Sequence, residues 1–128
     1  MTKFFIFSFL LTLSLDAKHL HKEKLYQEHF CKTYGGITEY RLKDKTRVDC
    51  LLQGYAIEVD FAQKWAESIG QSLYYASKTS RKPAVLLIME NKEKDKKYLE
   101  RLENVSKTHN ISIWIIDKTF TIFKPSQL

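Results

Sequence analysis

Cysteine is scarce in this chain, and the two present, Cys31 and Cys50, form no Cys-x-x-Cys pair of the kind that holds zinc or runs dithiol chemistry. Histidine is equally sparse. The four, at 19, 21, 29 and 109, have no tight ligand spacing, and His19-x-His21 reads as part of an exposed N-terminal stretch. With only 4 glycines there is no phosphate-cradling glycine loop, which removes the commonest nucleotide-binding signature. Internal repeats and low-complexity blocks are absent too. The longest apolar run, Phe4 to Leu15, falls short of the roughly 20 residues a membrane-spanning helix needs.

What is present is a pattern of carboxylates. Arg47 to Leu52 and Ala56 to Phe61 both alternate apolar with polar residues, and Gln53-Gly54 between them suits a two-residue turn, so a strand hairpin is predicted. Pairing Leu52 with Tyr55 sets Asp49 opposite Glu58 and Arg47 opposite Asp60. Val48, Cys50 and Leu52 then share the other, apolar face with Val59, Ile57 and Tyr55. Like charges directly opposed, with Cβ atoms roughly 4.5–5.5 Å apart, destabilise a sheet unless a cation lies between them. Mg²⁺ commonly takes one or two protein carboxylates and keeps waters for its remaining positions, so Asp49 and Glu58 are a sufficient protein share. The alternative is a solvated hairpin face on which Arg47 pairs with Asp60.

From Ala62 to about Ser80 the spacing is helical, with Ala62, Trp65, Ala66, Ile69, Leu73 and Ala76 as the expected buried stripe. At about 100° per residue, Lys64, Gln71 and Tyr75 fall on one flank with Ser68 between them. A polar row thus begins four residues after Asp60, with its lysine nearest the carboxylates.

Asp49, Glu58 on the next strand, and a following helix with Gln71-x-x-x-Tyr75 together resemble the PD-(D/E)xK phosphodiesterase superfamily, and the helix motif its RecB-like nuclease branch. The segment RVDCLLQGYAIEVDFAQKWAESIGQSLYYA, followed by KPAVLLIM, is also similar to small bacterial proteins assigned to that superfamily. The resemblance spans roughly Tyr26 to Asp117. It implies a restriction-endonuclease-like α/β/α core with a mixed central sheet. It also implies metal-dependent hydrolysis of a nucleic-acid phosphodiester, most naturally DNA, with Asp49 and Glu58 holding Mg²⁺ or Mn²⁺. Two positions depart from the motif. Val48 stands at the motif's proline, and Asp60 stands where the lysine of Glu-x-Lys belongs. Lys64 can supply the ammonium from the first helical turn if it reaches back over the sheet, with Gln71 and Tyr75 supporting it. Asp60 can instead act as a further metal ligand, and a chain without the ammonium would bind without cutting. The resemblance further implies an acidic residue from before the hairpin. Glu23 and Glu28 lie in a helix predicted over about His19 to Lys32, and Glu39 lies on a strand from Thr38 to Leu42. A three-residue Lys43-Asp44-Lys45 loop would set Glu39 opposite Asp49, whereas a two-residue Asp44-Lys45 turn would set Tyr40 there.

The remainder reads as α/β, in the order α-β-β-β-α-β-α-β-β. Pro83 to Met89 is a buried, parallel strand, Asp95 to Thr108 an amphipathic helix, and Ile111 to Asp117 and Thr119 to Lys124 closing strands, with Trp114 a core anchor. A formal charge of +6 and a pI near 9.3 suit a polyanionic partner. Lysines 92, 94, 96 and 97 alternate with Glu93 and Asp95 and read as a solvated helix start. Lys3, the apolar run and Leu15-Asp16-Ala17 resemble a secretory signal over residues 1–17, which would place a single domain from Lys18 to Leu128 in the periplasm or outside the cell. In that compartment Cys31 and Cys50 can form a disulfide between the first helix and the hairpin; buried free thiols are the alternative.

Overall fold

The computed structural model describes residues 18–128, so the signal-like segment 1–17 lies outside the described residues. No helix among these residues is long and apolar enough to cross a membrane. In chain order the elements are α1 (Glu23–Thr33), β1 (Ile37–Arg41), β2 (Arg47–Leu51), β3 (Tyr55–Phe61), a 3₁₀ turn (Ala62–Lys64), α2 (Trp65–Thr79), β4 (Lys82–Met89), α3 (Lys92–His109), β5 (Ser112–Asp117) and β6 (Ile122–Phe123). The strands form one six-stranded open sheet in the order β1-β2-β3-β4-β5-β6. Pairing is parallel from β3 through β5 and antiparallel elsewhere, so the sheet is mixed. The described residues are therefore α/β, with three α-helices.

Both faces of the sheet are covered. On one, Tyr26, Phe30 and Cys31 of α1 pack against Ile57, Val59, Leu86, Ile88, Trp114 and Ile116. On the other, Trp65, Ile69 and Leu73 of α2 and Leu99 and Leu102 of α3 pack against Val85, Leu87, Met89, Ile113 and Ile115. Neighbouring side chains on β4 point to opposite layers, as the pleat requires. Its run of buried residues from Ala84 to Met89 is what a parallel strand covered on both faces looks like. Trp114 is nearly buried, edge-on to Phe30 and Tyr55.

Several element ends differ from their predicted positions. α1 begins at Glu23, not near His19, because the Leu20 and His21 amides donate to the Glu90 carboxylate and hold that stretch in a bend outside the helix. α3 starts at Lys92, three residues before Asp95: the Asn91 side chain caps the Lys94 amide while Asp95 accepts from the Asn91 amide. The last strand is only Ile122–Phe123, since Asp117 Oδ1 gathers the Thr119 and Thr121 amides into a turn where a longer strand would need them.

α1 ends in a paired-glycine stop. Gly35 adopts φ +69°, the Gly36 amide donates to Cys31 O at 2.8 Å and the Gly35 amide to Lys32 O at 3.2 Å, closing the last turn. Gly36 then runs against a disulfide. Cys31 of α1 and Cys50 of β2 are bridged, with Cα atoms 5.7 Å apart and a sequence separation of 19. A bridge closing a loop of that length contributes on the order of 3 kcal/mol in chain-entropy terms. A Cβ at position 36 would sit 2.8 Å from Cys31 Sγ, 2.9 Å from Cys50 Sγ and 2.5 Å from Leu52 Cδ2. Leu52 can turn its side-chain end away, but the two sulfurs cannot yield without moving the bridge. Gly36→Ala is therefore expected to destabilise the protein by about 1–3 kcal/mol, the usual range for overpacking. Gly54→Ala, where an added Cβ meets nothing within 4 Å, should leave the urea midpoint nearly unchanged. Equal midpoints for the two variants would contradict this packing.

Candidate functional site

β3 is a central strand, and its alternation decides where charge goes. Ile57, Val59 and Phe61 pack under α1, which sends Ala56, Glu58 and Asp60 to the α2 side. Glu58 and Asp60 are each only 6% exposed there. The helix above contributes Ser68, Ser72 and Ala76 as its buried residues. This corrects the predicted stripe: Ala66 is exposed and Ser68 is buried, so the packed face is rotated toward the serines. The serine hydroxyls donate to the Trp65 and Ile69 carbonyls of their own helix. Glu58 Oε2 and Asp60 Oδ2 are left buried without a hydrogen-bond partner.

The hairpin brings a third carboxylate to them. Rungs Cys50↔Ile57 and Leu51↔Ala56, with the Leu52 amide on Tyr55 O, give the loop Gln53-Gly54. The ladder stops at the next rung, where Asp49 and Glu58 would face each other. There Asp49 Oδ2 accepts the Val59 amide at 2.8 Å, and its carboxyl lies close enough to Glu58 to interact directly. Rungs Thr38↔Cys50 and Tyr40↔Val48 set Glu39 opposite Asp49 but are interrupted between, where Glu39 takes φ +52°. The β1–β2 loop is the three-residue form, with the Lys45 amide on Leu42 O, Lys45 at φ +74° and Asp44 binding the Thr46 amide. Beyond this break the faces switch. Val48 packs with Leu51, Ala56 and Tyr75 on the α2 side rather than with Cys50 under α1. The expected apolar face of Val48, Cys50 and Leu52 is thus divided. No ion pair among the described residues joins Arg47 to Asp60.

Two residues of α1 complete the surroundings, and neither is Glu28, which is exposed and pairs with Lys24 at 3.6 Å. Glu23 is the helix residue beside the acidic group. Gln27 Nε2 donates both to Asp49 O at 2.8 Å and to Glu39 at 3.0 Å, tying β1 and β2 under the helix at their break. Sequence reasoning passed over Gln27. The signal was its phase: Glu23, Gln27, Phe30 and Cys31 lie on one stripe of α1, whereas Glu28 falls off it.

Burial, first, raises the pKa of every member of this group, and mutual repulsion adds to it. Glu58 is held far above the ordinary carboxylate range by desolvation and then by Asp49 and Asp60. Asp49 is raised by burial, partly offset by the Val59 amide. Asp60 is pushed up to about 7 by burial, then by Glu23 and Asp49, against the pull of Lys64. Glu23 is raised by burial and Asp49, while Lys64 and His19 pull it down. The Tyr75 hydroxyl, half-buried, rises to about 12 by burial and the nearby Glu58 and Asp49. Lys64 thus sits within electrostatic reach of Glu23 and Asp60, yet it is exposed and makes no ion pair among the described residues. Gln71 is exposed on the same flank.

Among known proteins, no family model, curated sequence or solved structure matches the chain.

No three acidic, histidine or cysteine groups among the described residues are arranged to hold an ion by themselves. The chemistry of the donors nevertheless fits a hard divalent cation that keeps most of its waters: buried carboxylate oxygens, two of them partnerless, gathered against their own repulsion.

The shifted carboxylates fix a pH dependence. Their folded-state pKa values lie above the unfolded ones, so the native state binds more protons than the unfolded chain between about pH 4 and 7. The contribution of this group to stability therefore falls as pH rises through that window. In EDTA, the stability advantage of Asp60→Asn over wild type is expected to grow from pH 4 to pH 8 in thermal unfolding. A difference independent of pH would contradict the assignment of a buried, unpaired Asp60.

Proposed function

We propose that this chain is a divalent-metal-dependent phosphodiesterase of the PD-(D/E)xK kind, acting on nucleic acid and most naturally on DNA. Its core is then the restriction-endonuclease-like α/β/α arrangement, and export would direct it to environmental or foreign DNA. One observation carries the reading. Asp49 and Glu58, picked out by their spacing, lie within direct reach of each other, and Glu58 and Asp60 sit on the α2 side of a central strand, where each has a carboxylate oxygen with no partner among the described residues.

Asp49 and Glu58 would hold Mg²⁺ or Mn²⁺, which when bound lowers the pKa of water and neutralises charge on phosphate. Asp49 is oriented for this by the Val59 amide and, through its backbone, by Gln27. Asp60 adds a third carboxylate in place of the motif lysine. Lys64, exposed beside Asp60 and Glu23, offers its ammonium to the phosphate, and Tyr75 stays protonated as a hydrogen-bond donor at neutral pH. A second reading, a silent relative that binds nucleic acid or a partner without cutting, is favoured by Asp60 itself and by the absence of any ion pair holding Lys64 toward the carboxylates.

Plasmid, linear and single-stranded substrates incubated with the protein in Mg²⁺, Mn²⁺ or EDTA separate these readings. Cleavage is expected with metal and not with EDTA. It should be lost in Asp49→Ala and Glu58→Ala, and reduced about 10²–10³-fold in Lys64→Ala, the usual cost of one electrostatic donor to the transition state. Full activity in Glu58→Ala would remove the reading; metal-independent inactivity with retained binding would favour the silent relative.

A further inference from the structure

The C-terminal ends of β3, β4 and β5 open into a cleft of about 640 Å³ whose charge is unbalanced. Lys94 and Lys97 reach it from the first turns of α3 and Lys118 from the turn after β5; all three are exposed. The two carboxylates in the cleft wall are already engaged. Glu90 accepts from Tyr26 Oη at 2.8 Å, the Leu20 and His21 amides and His19, and Asp95, 4% exposed, accepts the Asn91 amide. No ion pair among the described residues involves the three lysines. The alternation with Glu93 and Asp95 that reads in sequence as self-neutralising is thus divided by the fold.

The same cleft contains a prepared aromatic surface. The His19 ring stacks on Phe61 with centroids 3.4 Å apart and planes 7° from parallel, and Glu90 fixes its Nδ1. Its side chain remains 40% exposed. One ring face is covered and the ring is held, so a planar ligand can stack without first ordering the histidine. The cleft also adjoins the carboxylates. Gln63 in its wall precedes Lys64, and His19 is near enough to Glu23 to act on it electrostatically.

We propose that this cleft is the track for an unpaired strand of nucleic acid, with one base stacked on His19 and the flanking phosphates on Lys94, Lys97 and Lys118. Stacking platforms joined to a basic groove bind single strands with little sequence preference, because every base has a π-face and every nucleotide a phosphate. A paired base cannot present its face to His19, so the duplex is the weaker ligand. The direction of the strand toward Asp49 and Glu58 rests on the phosphodiesterase reading; the binding itself does not.

The test is fluorescence anisotropy of a labelled twelve-nucleotide oligothymidine and of the matching duplex, in EDTA so that no strand is cut. The single strand is expected to bind more tightly. Combined Lys94→Glu, Lys97→Glu and Lys118→Glu should weaken it at least about tenfold and lower the log–log salt slope by about 2, from roughly 0.7 per phosphate contact. Reversing the exposed Lys24, Lys32 and Lys107 should do much less. His19→Ala should cost about 5- to 100-fold, the range of one base stack. His19→Tyr, which keeps a ring but no imidazole, should recover most of it. Equal affinity for the two ligands, equal effects of the two lysine sets, failure of His19→Tyr to recover binding, or no binding would each overturn the proposal. Single-strand binding without cleavage in Mg²⁺ leaves the track in place and removes only the nuclease reading, whereas cleavage unaffected by the cleft substitutions does the reverse.

Discussion

Burying like charges side by side on a central strand is the constraint from which the rest of this structure follows. A sheet covered on both faces has room for apolar side chains in the layer between strand and helix, and an ionised carboxylate there loses its hydration without replacement. Glu58 and Asp60 occupy that layer with Asp49 beside them. In isolation the group lowers its cost by holding protons. A divalent cation relieves the same conflict without protonation, which is why carboxylates with raised pKa values and partnerless oxygens point to a ligand more strongly than an exposed acidic patch would.

The scaffold around the group holds it in place. A regular ladder would set Asp49 opposite Glu58; the ladder stops one rung short, and the Asp49 carboxylate takes the Val59 amide beside Glu58. Such a break weakens the β1–β2–β3 pairing, and three contacts with α1 compensate: the disulfide from Cys31 to Cys50, Gln27 across Glu39 and Asp49, and Gly36 fitted against the bridge. On the far side, α2 turns small serines, Ser68 and Ser72, inward as its buried polar residues. Stability is thus placed in α1 and the parallel strands, on either side of the interrupted rung.

How much of this was legible in the sequence depended on whether the cause was local. The Gln53-Gly54 turn and the strand alternation are local, and they give the rungs next to Asp49 directly. The parallel β4 announces itself as an unbroken apolar run. The face switch at Val48 was not legible, because it accompanies an interruption of the β1–β2 ladder at Asp49 and Glu39, where Glu39 takes a positive φ that its residue type does not favour. The length of α1 depended on Glu90, some seventy residues away in the chain, capturing the Leu20 and His21 amides. Ser68 read as part of the polar flank; it is buried, as is Ser72, each with its hydroxyl bonded back to its own helix. Of the two candidates on α1, Glu23 and Glu28, only Glu23 shares the stripe through Phe30 and Cys31, and that phase was not used to choose between them.

The most direct test of the central claim, that these carboxylates form a cation site, is calorimetric titration of the protein with Mn²⁺ at pH 8. The account predicts one ion bound per chain in wild type, with binding lost in Glu58→Gln, a variant that removes the charge and keeps the shape. Equal binding by wild type and Glu58→Gln, or none by either, would contradict it.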